Sequence, residues 1–197
     1  MKIGLYFGSF NPVHIGHLII ANFAISFSDL NQVWFVVSPQ NPFKESAGLL
    51  NEYHRLHLVK SAIDGEKNLK TSNVEFHLPK PSYTVDSLSY LKEKFPEHEF
   101  SLLMGSDGFQ NITKWKNYEI IVKNHFFYIY KRPGFDIKET YGANIHILKA
   151  PLLEISSTFI RNLIKEKKSI RFFVPDIVKE EIDKWGYYRM QLKDPPN

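Results

Sequence analysis

Short apolar runs rich in β-branched and aromatic residues alternate along this chain with stretches of helical periodicity. The runs Lys2–Phe7, Gln32–Ser38 and Phe100–Met104 are each followed by a segment whose apolar side chains recur every three or four residues. Runs of this length are typical of buried strands, and strands that alternate with helices form parallel sheets covered on both faces. We therefore expect an α/β fold: a doubly wound, Rossmann-like, mostly parallel sheet with helices on both faces.

The same periodicities place the remaining elements. Further strands are predicted over Val74–Leu78, His125–Tyr130 and Ile145–Leu148. Helices are predicted over Leu18–Phe27, Leu50–Ile63, Tyr83–Phe95, around Ile120, Ser157–Lys167 and Asp176–Lys184, and a loop over Pro39–Ala47. With no linker or internal repeat, residues 1–188 are expected to form a single domain and residues 189–197 a C-terminal tail.

Composition excludes several classes of site and of partner. The chain has no cysteine, which rules out disulfides, thiolate metal sites and cysteine nucleophiles. The most apolar long stretch, Leu18–Phe27, is too short to span a bilayer, so we expect a cytoplasmic protein without a membrane partner. The net charge of +4 suits polyanionic small molecules as well as nucleic acid. Because the basic stretch Lys165–Arg171 is predicted to be a solvated helix end, we expect no nucleic-acid partner, and homo-oligomerisation stays open.

Ligand sites in doubly wound sheets lie at the carboxyl ends of the strands. We therefore expect the chemistry of this chain directly after its predicted strands. The segments in that position are Gly8–His17, Pro39–Lys44, Gly105–Asp107 and the entry to the helix that begins at Ser157.

The first of these segments, Gly-Ser-Phe-Asn-Pro-Val-His-Ile-Gly-His, follows a strand and opens a helix. A helix start presents unpaired N–H groups and the positive end of its dipole to an anion. Gly8 and Ser9 let the backbone approach a ligand closely, and Gly16 leaves room for a nucleotide. His14 and His17 are three residues apart, so both imidazoles can project from one face. The segment is thus a candidate anion site.

A second histidine pair provides an internal control. His54 and His57 have the same spacing but lie inside a predicted helix, with no preceding strand or glycine loop. We interpret them as solvated or partly packed, a metal pair being the less favoured alternative. The chain contains neither G-x-G-x-x-G nor G-x-x-x-x-G-K-[ST], so phosphates would have to be held by a different device.

Two segments near opposite ends of the chain resemble paired signatures of one superfamily. Residues 8–17 resemble the HxGH signature of the nucleotidyltransferases, and Ile155–Arg161 (ISSTFIR) resemble their ISSTxxR motif. Intermediate segments are similar to the bacterial nicotinate-nucleotide adenylyltransferases, and the resemblance extends to Tyr188. These segments are Pro81–Thr84, Gly105–Asp107 followed by Trp115, Arg132–Gly134 and Val174–Tyr188.

The chain departs from the family pattern at three places. Phe7 stands where the family has the first of two glycines, and Asn11 stands in place of an aspartate. The loop similar to the family's Pro-x-His-Lys is Asn41-Pro42-Phe43-Lys44, so the histidine is replaced by Phe43 while Lys44 remains. A family role that requires that imidazole does not carry over to this chain.

The resemblance implies adenylyl transfer from ATP to nicotinate mononucleotide, which gives deamido-NAD and pyrophosphate in NAD biosynthesis. Mg²⁺ is expected on the ATP phosphates, with no metal site made by the protein. The catalytic residues implied are His14, His17, Lys44 and Arg161. Those implied in ATP binding are Gly8, Ser9, Phe10, Gly16, Gly105, Asp107, Ile155, Ser156, Ser157 and Thr158. Those implied in nicotinate mononucleotide binding are Asn11, Thr84, Val85, Trp115 and Lys116.

Several alternatives stay open at this point. Trp115 could be a core residue, although its polar neighbours favour a partly exposed ring, and Asp107 could be a loop or cap residue. The acceptor could instead be nicotinamide mononucleotide or phosphopantetheine. A non-catalytic module that binds nucleotides or RNA is a third reading, against which the complete set His14, His17 and Arg161 speaks.

Overall fold

A computed structural model describes residues 1–40 and 48–189. Within those ranges six strands form one sheet in the order β3-β2-β1-β4-β5-β6, and all of its pairings are parallel. The strands are β1 (Lys2–Gly8), β2 (Gln32–Val37), β3 (Leu69–Ser72), β4 (Glu99–Gly105), β5 (Phe126–Tyr130) and β6 (Asn144–Leu148). This order confirms the expected doubly wound α/β fold and puts its switch point between β1 and β4.

Helices connect the strands. They are α1 (Ile15–Ser26), α2 (Glu52–Ala62), α3 (Thr84–Lys94), the single turn α4 (Ser106–Phe109), α5 (Tyr118–Asn124), α6 (Ser157–Lys165) and α7 (Asp176–Trp185). Two 3-10 turns cover Val74–His77 and Ile112–Lys114. No helix in the described ranges is long and apolar enough to cross a membrane.

The side chains of the inner strands β1, β2, β4 and β5 alternate between two hydrophobic clusters, one on each face of the sheet. On β4, Leu103 joins the first cluster while Leu102 and Met104 join the second. Helices α1, α2, α6 and α7 cover the first face, and α3, α4 and α5 cover the second. Because both faces are covered, the central strands are apolar throughout, which is why they could be predicted from the sequence.

One strand prediction is wrong. Residues 74–78 were expected to be a strand, but Val74–His77 form a 3-10 turn, and the strand beside β2 is Leu69–Ser72. This strand lies at the edge of the sheet and pairs only with β2, so its sequence, Leu-Lys-Thr-Ser, lacks an apolar run. The apolar pattern that follows it arises because Val74 packs into the second cluster from the turn.

Two sequence expectations fall partly outside the described residues. The loop predicted over Pro39–Ala47 is described only as far as Gln40, and Lys44 lies outside the described ranges. Of the tail predicted over residues 189–197, only Arg189 is described; its guanidinium contacts Asp183 of α7 at 3.1 Å.

Candidate active site

A cleft of about 880 Å³ opens at the carboxyl ends of β1 and β4. This is the switch point of the sheet, where doubly wound folds bind their ligands. Four described side chains with fixed positive charge line the cleft, namely Lys114, Lys116, Arg132 and Arg161. Among the residues that the structure describes, two carboxyl groups line it, those of Glu75 and Asp107. The balance favours a polyanionic ligand.

His14 and His17 lie together on the cleft wall. Their rings are stacked, with centroids 3.6 Å apart and planes 24° apart. The backbone N–H of His14 donates to Nδ1 of His17 at 3.2 Å. Since that nitrogen accepts, the proton of the neutral His17 ring resides on Nε2. The structure thus confirms that the two imidazoles share one face.

Burial shifts the titration of His14. Its side chain is 3% exposed, and burial, with a smaller contribution from the charge of Arg132, lowers the pKa of His14 from 6.5 to about 4. In the free protein at neutral pH this imidazole is therefore uncharged. A bound polyanion would raise the pKa of His14 again by stabilising the imidazolium.

The glycines of the first segment make room for its rings. A Cβ on Gly8 would lie 2.9 Å from the ring of Phe10, and one on Gly16 would lie 3.1 Å from Nδ1 of His14. Phe10 has a φ of 45°, and its ring is buried beneath His17 with centroids 5.0 Å apart. The backbone of Phe10 is thus the part placed to meet a ligand, and the ring supports His17.

The start of α1 offers less to an anion than the sequence suggested. The N–H of Ile15, the first residue of the helix, donates to the carbonyl of Phe173 at 2.9 Å. The N–H of His17 donates to the carbonyl of His14 at 2.9 Å. Two of the groups expected to face a phosphate are already paired, which leaves a larger share of that role to side chains.

The beginning of α6 brings the second signature onto the first. Oγ of Ser157 donates to the carbonyl of Pro12 at 2.8 Å, and Nη1 of Arg161 donates to the carbonyl of Asn11 at 2.8 Å. Nη2 of Arg161 reaches Oγ1 of Thr158 at 3.2 Å. Ser156 caps the helix by accepting from the N–H of Phe159 at 3.1 Å. The two motifs therefore form one wall of the cleft.

Arg132 is a cleft cation that the sequence analysis did not assign to the site. It lies two residues beyond the end of β5, and its Nε is 3.6 Å from Oδ1 of Asp107. Its Nη2 reaches the hydroxyl of Tyr130 at 3.4 Å. Both distances are long, so the guanidinium retains donors for a ligand. The signal in the sequence was its position directly after a strand, next to the Pro-Gly turn.

The opposite wall carries Trp115 between two lysines. Trp115 follows the 3-10 turn at Ile112–Lys114 and is half-buried beside the start of α3, where Tyr83 and Thr84 also line the cleft. Nζ of Lys116 is 3.0 Å from Asp86, so the charge of Lys116 is already paired. The structure favours the partly exposed ring over a core tryptophan.

Thr84 and Val85 are the first two residues of α3, where helix N–H groups lack partners within the helix. Thr84 lines the cleft, whereas the side chain of Val85 packs against the second hydrophobic cluster. Ile155 and Gly16 likewise line a smaller cavity that shares His14, His17 and Arg132 with the cleft. Gly16, Val85 and Ile155 therefore lie at the margin of the site.

Three further polar side chains at or behind the cleft are buried. The side chain of Asn11 donates to the carbonyl of Gly48 and accepts from the N–H of Leu50, both at 3.1 Å, so its amide is engaged within the protein. Glu75 is 3% exposed and accepts from Ser87 at 3.0 Å, and burial raises the pKa of its carboxyl. Arg55 is fully buried. Sequence reasoning missed both residues. Arg55 lies inside α2, and Glu75 lies in the turn after β3, where the sequence predicted a strand instead.

The control pair behaves as expected. His54 and His57 are both exposed, and each contacts the C-terminal part of the chain rather than the cleft. Nδ1 of His54 lies 3.0 Å from the hydroxyl of Tyr187, and Nε2 of His57 lies 3.6 Å from Glu181. In the described ranges, no group of three or more His, Cys, Asp or Glu could hold a metal ion.

Comparison with known proteins agrees with this architecture. The profile of the cytidylyltransferase-like family matches residues 5–163. A protein of Flavobacterium psychrophilum named probable nicotinate-nucleotide adenylyltransferase is 53% identical over 96% of this chain and 100% of its own length. A protein of the same name from Bacteroides thetaiotaomicron is 43% identical over 98% of this chain and 96% of its own length.

A solved structure shares the fold. The nicotinic acid mononucleotide adenylyltransferase of Plasmodium falciparum, complexed with NaAD, superimposes with a TM-score of 0.81 at 23% identity, covering 95% of this chain and 97% of that one. Fold, cleft and sequence identity over nearly the whole chain agree. The chain therefore belongs to the cytidylyltransferase-like nucleotidyltransferases, among the bacterial nicotinate-nucleotide adenylyltransferases.

Proposed function

We propose that the cleft binds ATP and nicotinate mononucleotide and transfers the adenylyl group between them. The phosphate oxygen of the mononucleotide attacks the α-phosphorus of ATP, the bond from that phosphorus to the bridging oxygen breaks, and pyrophosphate leaves with the electron pair. The products are deamido-NAD and pyrophosphate. The single observation that carries the proposal is the meeting of His14, His17 and Arg161 on one wall of a cleft at the switch point.

No general base is needed for this reaction. The attacking phosphate has a second pKa of about 6 and is already anionic near neutral pH. The obstacle is the approach of two polyanions and the charge that grows on the leaving oxygens. Preorganised cations and donors, together with in-line positioning, therefore supply the catalysis.

The cleft offers these groups on the ATP side. We assign Nε2 of His17, together with His14, to the ATP phosphates, because the stacked pair faces the cleft beside the Gly8–Ser9 backbone. Arg161 would hold the leaving pyrophosphate. Arg132 adds a second guanidinium, whose long contacts to Asp107 and Tyr130 leave it able to turn towards phosphate.

Lys44 stays a candidate for neutralising charge in the transition state, on the family resemblance alone. Mg²⁺ would enter on the ATP phosphates and neutralise part of their charge. The donor set fits that arrangement, since Asp107 is the only carboxylate at the described cleft surface that is well exposed. We also propose a cytoplasmic location.

The acceptor side favours nicotinate. The start of α3 points the positive end of a helix dipole and the N–H groups of Thr84 and Val85 to the region beside Trp115, which suits a carboxylate better than a carboxamide. The ring of Trp115 would stack on the pyridine. The backbone of Lys116 would assist, since its ammonium group is engaged with Asp86.

The test is pyrophosphate release with ATP and each acceptor in turn: nicotinate mononucleotide, nicotinamide mononucleotide and phosphopantetheine. We expect turnover with the first, with formation of deamido-NAD confirmed by mass, and at least tenfold lower kcat/KM with the other two. Preference for the amide or for phosphopantetheine would overturn the choice of acceptor. Absence of turnover with all three would overturn the enzyme assignment.

A further inference from the structure

Arg55 lies on α2 behind the cleft and is the largest side chain that is fully buried among the described residues. Burial lowers the pKa of its guanidinium. Burying a cation is costly unless its donors are all engaged, and a well-packed apolar side chain could fill such a position with less loss. The polar partners of this side chain therefore indicate what it does.

Its hydrogen-bond partners in the described structure are backbone carbonyl oxygens. Nε donates to Leu50 at 2.6 Å, Nη1 donates to Ser9 at 2.6 Å and to Ser38 at 2.8 Å, and Nη2 donates to Pro39 at 3.0 Å. These carbonyls come from three segments: the loop after β1, the residues after β2, and the entry to α2. One guanidinium thus fastens three segments that meet at the floor of the cleft.

The loop after β1 is also hydrogen-bonded to Leu50 through the side chain of Asn11. Asn11 accepts from the N–H of Leu50, while Arg55 donates to the carbonyl of the same residue. Leu50 is consequently bonded through both of its backbone groups to side chains that hold this loop. The loop carries Ser9, Phe10 and Asn11 directly into His14.

We propose that Arg55 is a positioning residue for the adenylyl transfer: by holding the Ser9 carbonyl it fixes the residue 8–14 backbone, and hence His14 and His17, relative to the end of β2. Arg55 itself is not placed among the residues that line the cleft. The inference rests on the proposed function. A guanidinium is required because its planar fork donates in several fixed directions, which an ammonium group cannot reproduce.

The effect expected is on catalysis more than on binding. A displacement of about 1 Å in a reacting group can cost about 10²-fold in rate. Loss of the fork should therefore lower kcat strongly while the affinity for ATP, which is spread over many contacts, changes little.

The experiment compares Arg55→Lys and Arg55→Gln with Val59→Ala. Val59 is one turn further along α2 and also fully buried, but it packs in the first hydrophobic cluster with a side chain that has no hydrogen-bond donor for the loop. For each protein we would measure thermal stability, kcat, KM for both substrates, and amide hydrogen exchange over residues 8–14. Arg55→Gln keeps two donors without a charge and serves if the lysine variant does not fold.

In the folded Arg55 variants we expect kcat to fall at least about tenfold, KM for ATP to stay within about threefold, and exchange over residues 8–14 to accelerate. Val59→Ala should lose thermal stability but keep the parental kcat and exchange over the same residues. Parental kcat in a folded Arg55 variant, or an equal loss in Val59→Ala, would overturn the inference.

The exchange measurement separates this inference from the proposed function. If the parent itself shows no turnover, the proposed function has failed, yet faster exchange confined to the Arg55 variants still supports the positioning of the loop. Unchanged exchange would overturn that positioning whatever the activity.

Discussion

The guanidinium of Arg161 donates to the backbone carbonyl of Asn11 at 2.8 Å, and this bond joins segments 150 residues apart in the chain. Arg161 also reaches Oγ1 of its neighbour Thr158 at 3.2 Å. A guanidinium has five N–H donors, so these two bonds leave others for a phosphate. The residue thus connects the two signatures and still faces the cleft.

We expect Arg161→Lys to lower kcat/KM by about 10²-fold, because an ammonium group cannot hold Asn11, Thr158 and pyrophosphate together. The loss should appear in the reverse reaction as a raised KM for pyrophosphate. Arg171→Lys is the matched control, since Arg171 is exposed and does not line the cleft. Parental pyrophosphate affinity in Arg161→Lys would remove Arg161 from the leaving-group site.

Replacement of His17 by alanine should cut kcat by about 10²- to 10³-fold, the usual effect of losing one preorganised donor. His57→Ala is the control, because His57 has the same spacing from its partner histidine but is exposed on α2 and pairs with Glu181. Steady-state kinetics and circular dichroism of both variants check the prediction. Activity within a few fold of the parent in His17→Ala would show that the phosphates lie elsewhere.

Trp115→Ala should raise KM for nicotinate mononucleotide about fivefold, since aromatic stacking contributes about 1 kcal/mol beyond buried area. KM for ATP should remain unchanged, because Trp115 lies on the wall opposite His14 and Arg161. Trp185→Ala provides the comparison: Trp185 is 59% exposed on α7 and does not line the cleft. Equal increases in KM for both substrates would place the ring outside the acceptor site.

The fold was predictable because burial on both faces leaves the central strands with uninterrupted apolar runs. Edge strand β3 was missed because it pairs only with β2. Its sequence, Leu-Lys-Thr-Ser, therefore lacks an apolar run. The meeting of the His14–His17 segment with the start of α6 was predictable, because parallel topology brings the segments that follow strands to one edge of the sheet. Arg161 itself was assigned through the resemblance to the ISSTxxR motif.

The residues that the sequence did not reveal act through contacts between distant segments. Arg55 lies inside a helix, and nothing in its neighbours indicates that it meets Ser9 and Ser38. Likewise, the pairing of the Ile15 N–H with Phe173 depends on how the residues before α7 pack against α1. Periodicity describes one element at a time, so contacts of this kind appear only when the elements are assembled.

The stability of the free protein should depend on pH through His14. Its pKa is about 4 in the folded protein against 6.5 in a model peptide, so the unfolded chain binds the proton more tightly. Stability should therefore fall as pH drops below 6.5 and level off below about 4, a loss on the order of 3 kcal/mol. His14→Gln should remove this pH dependence of the free energy of unfolding. Urea unfolding of both proteins between pH 4 and 8 would measure the difference.

Polyphosphate binding should reverse that depression, because anionic oxygens beside the ring favour the imidazolium. At pH 6 the parent protein should take up a proton when it binds ATP, and His14→Gln should take up less. Calorimetric titrations in buffers of different ionisation enthalpy measure the number of protons taken up on ATP binding. Equal proton uptake by the two proteins would place the ATP phosphates away from His14. Greater uptake by the parent, at acid pH only, would show that the charge of His14 depends on ATP binding in the cleft.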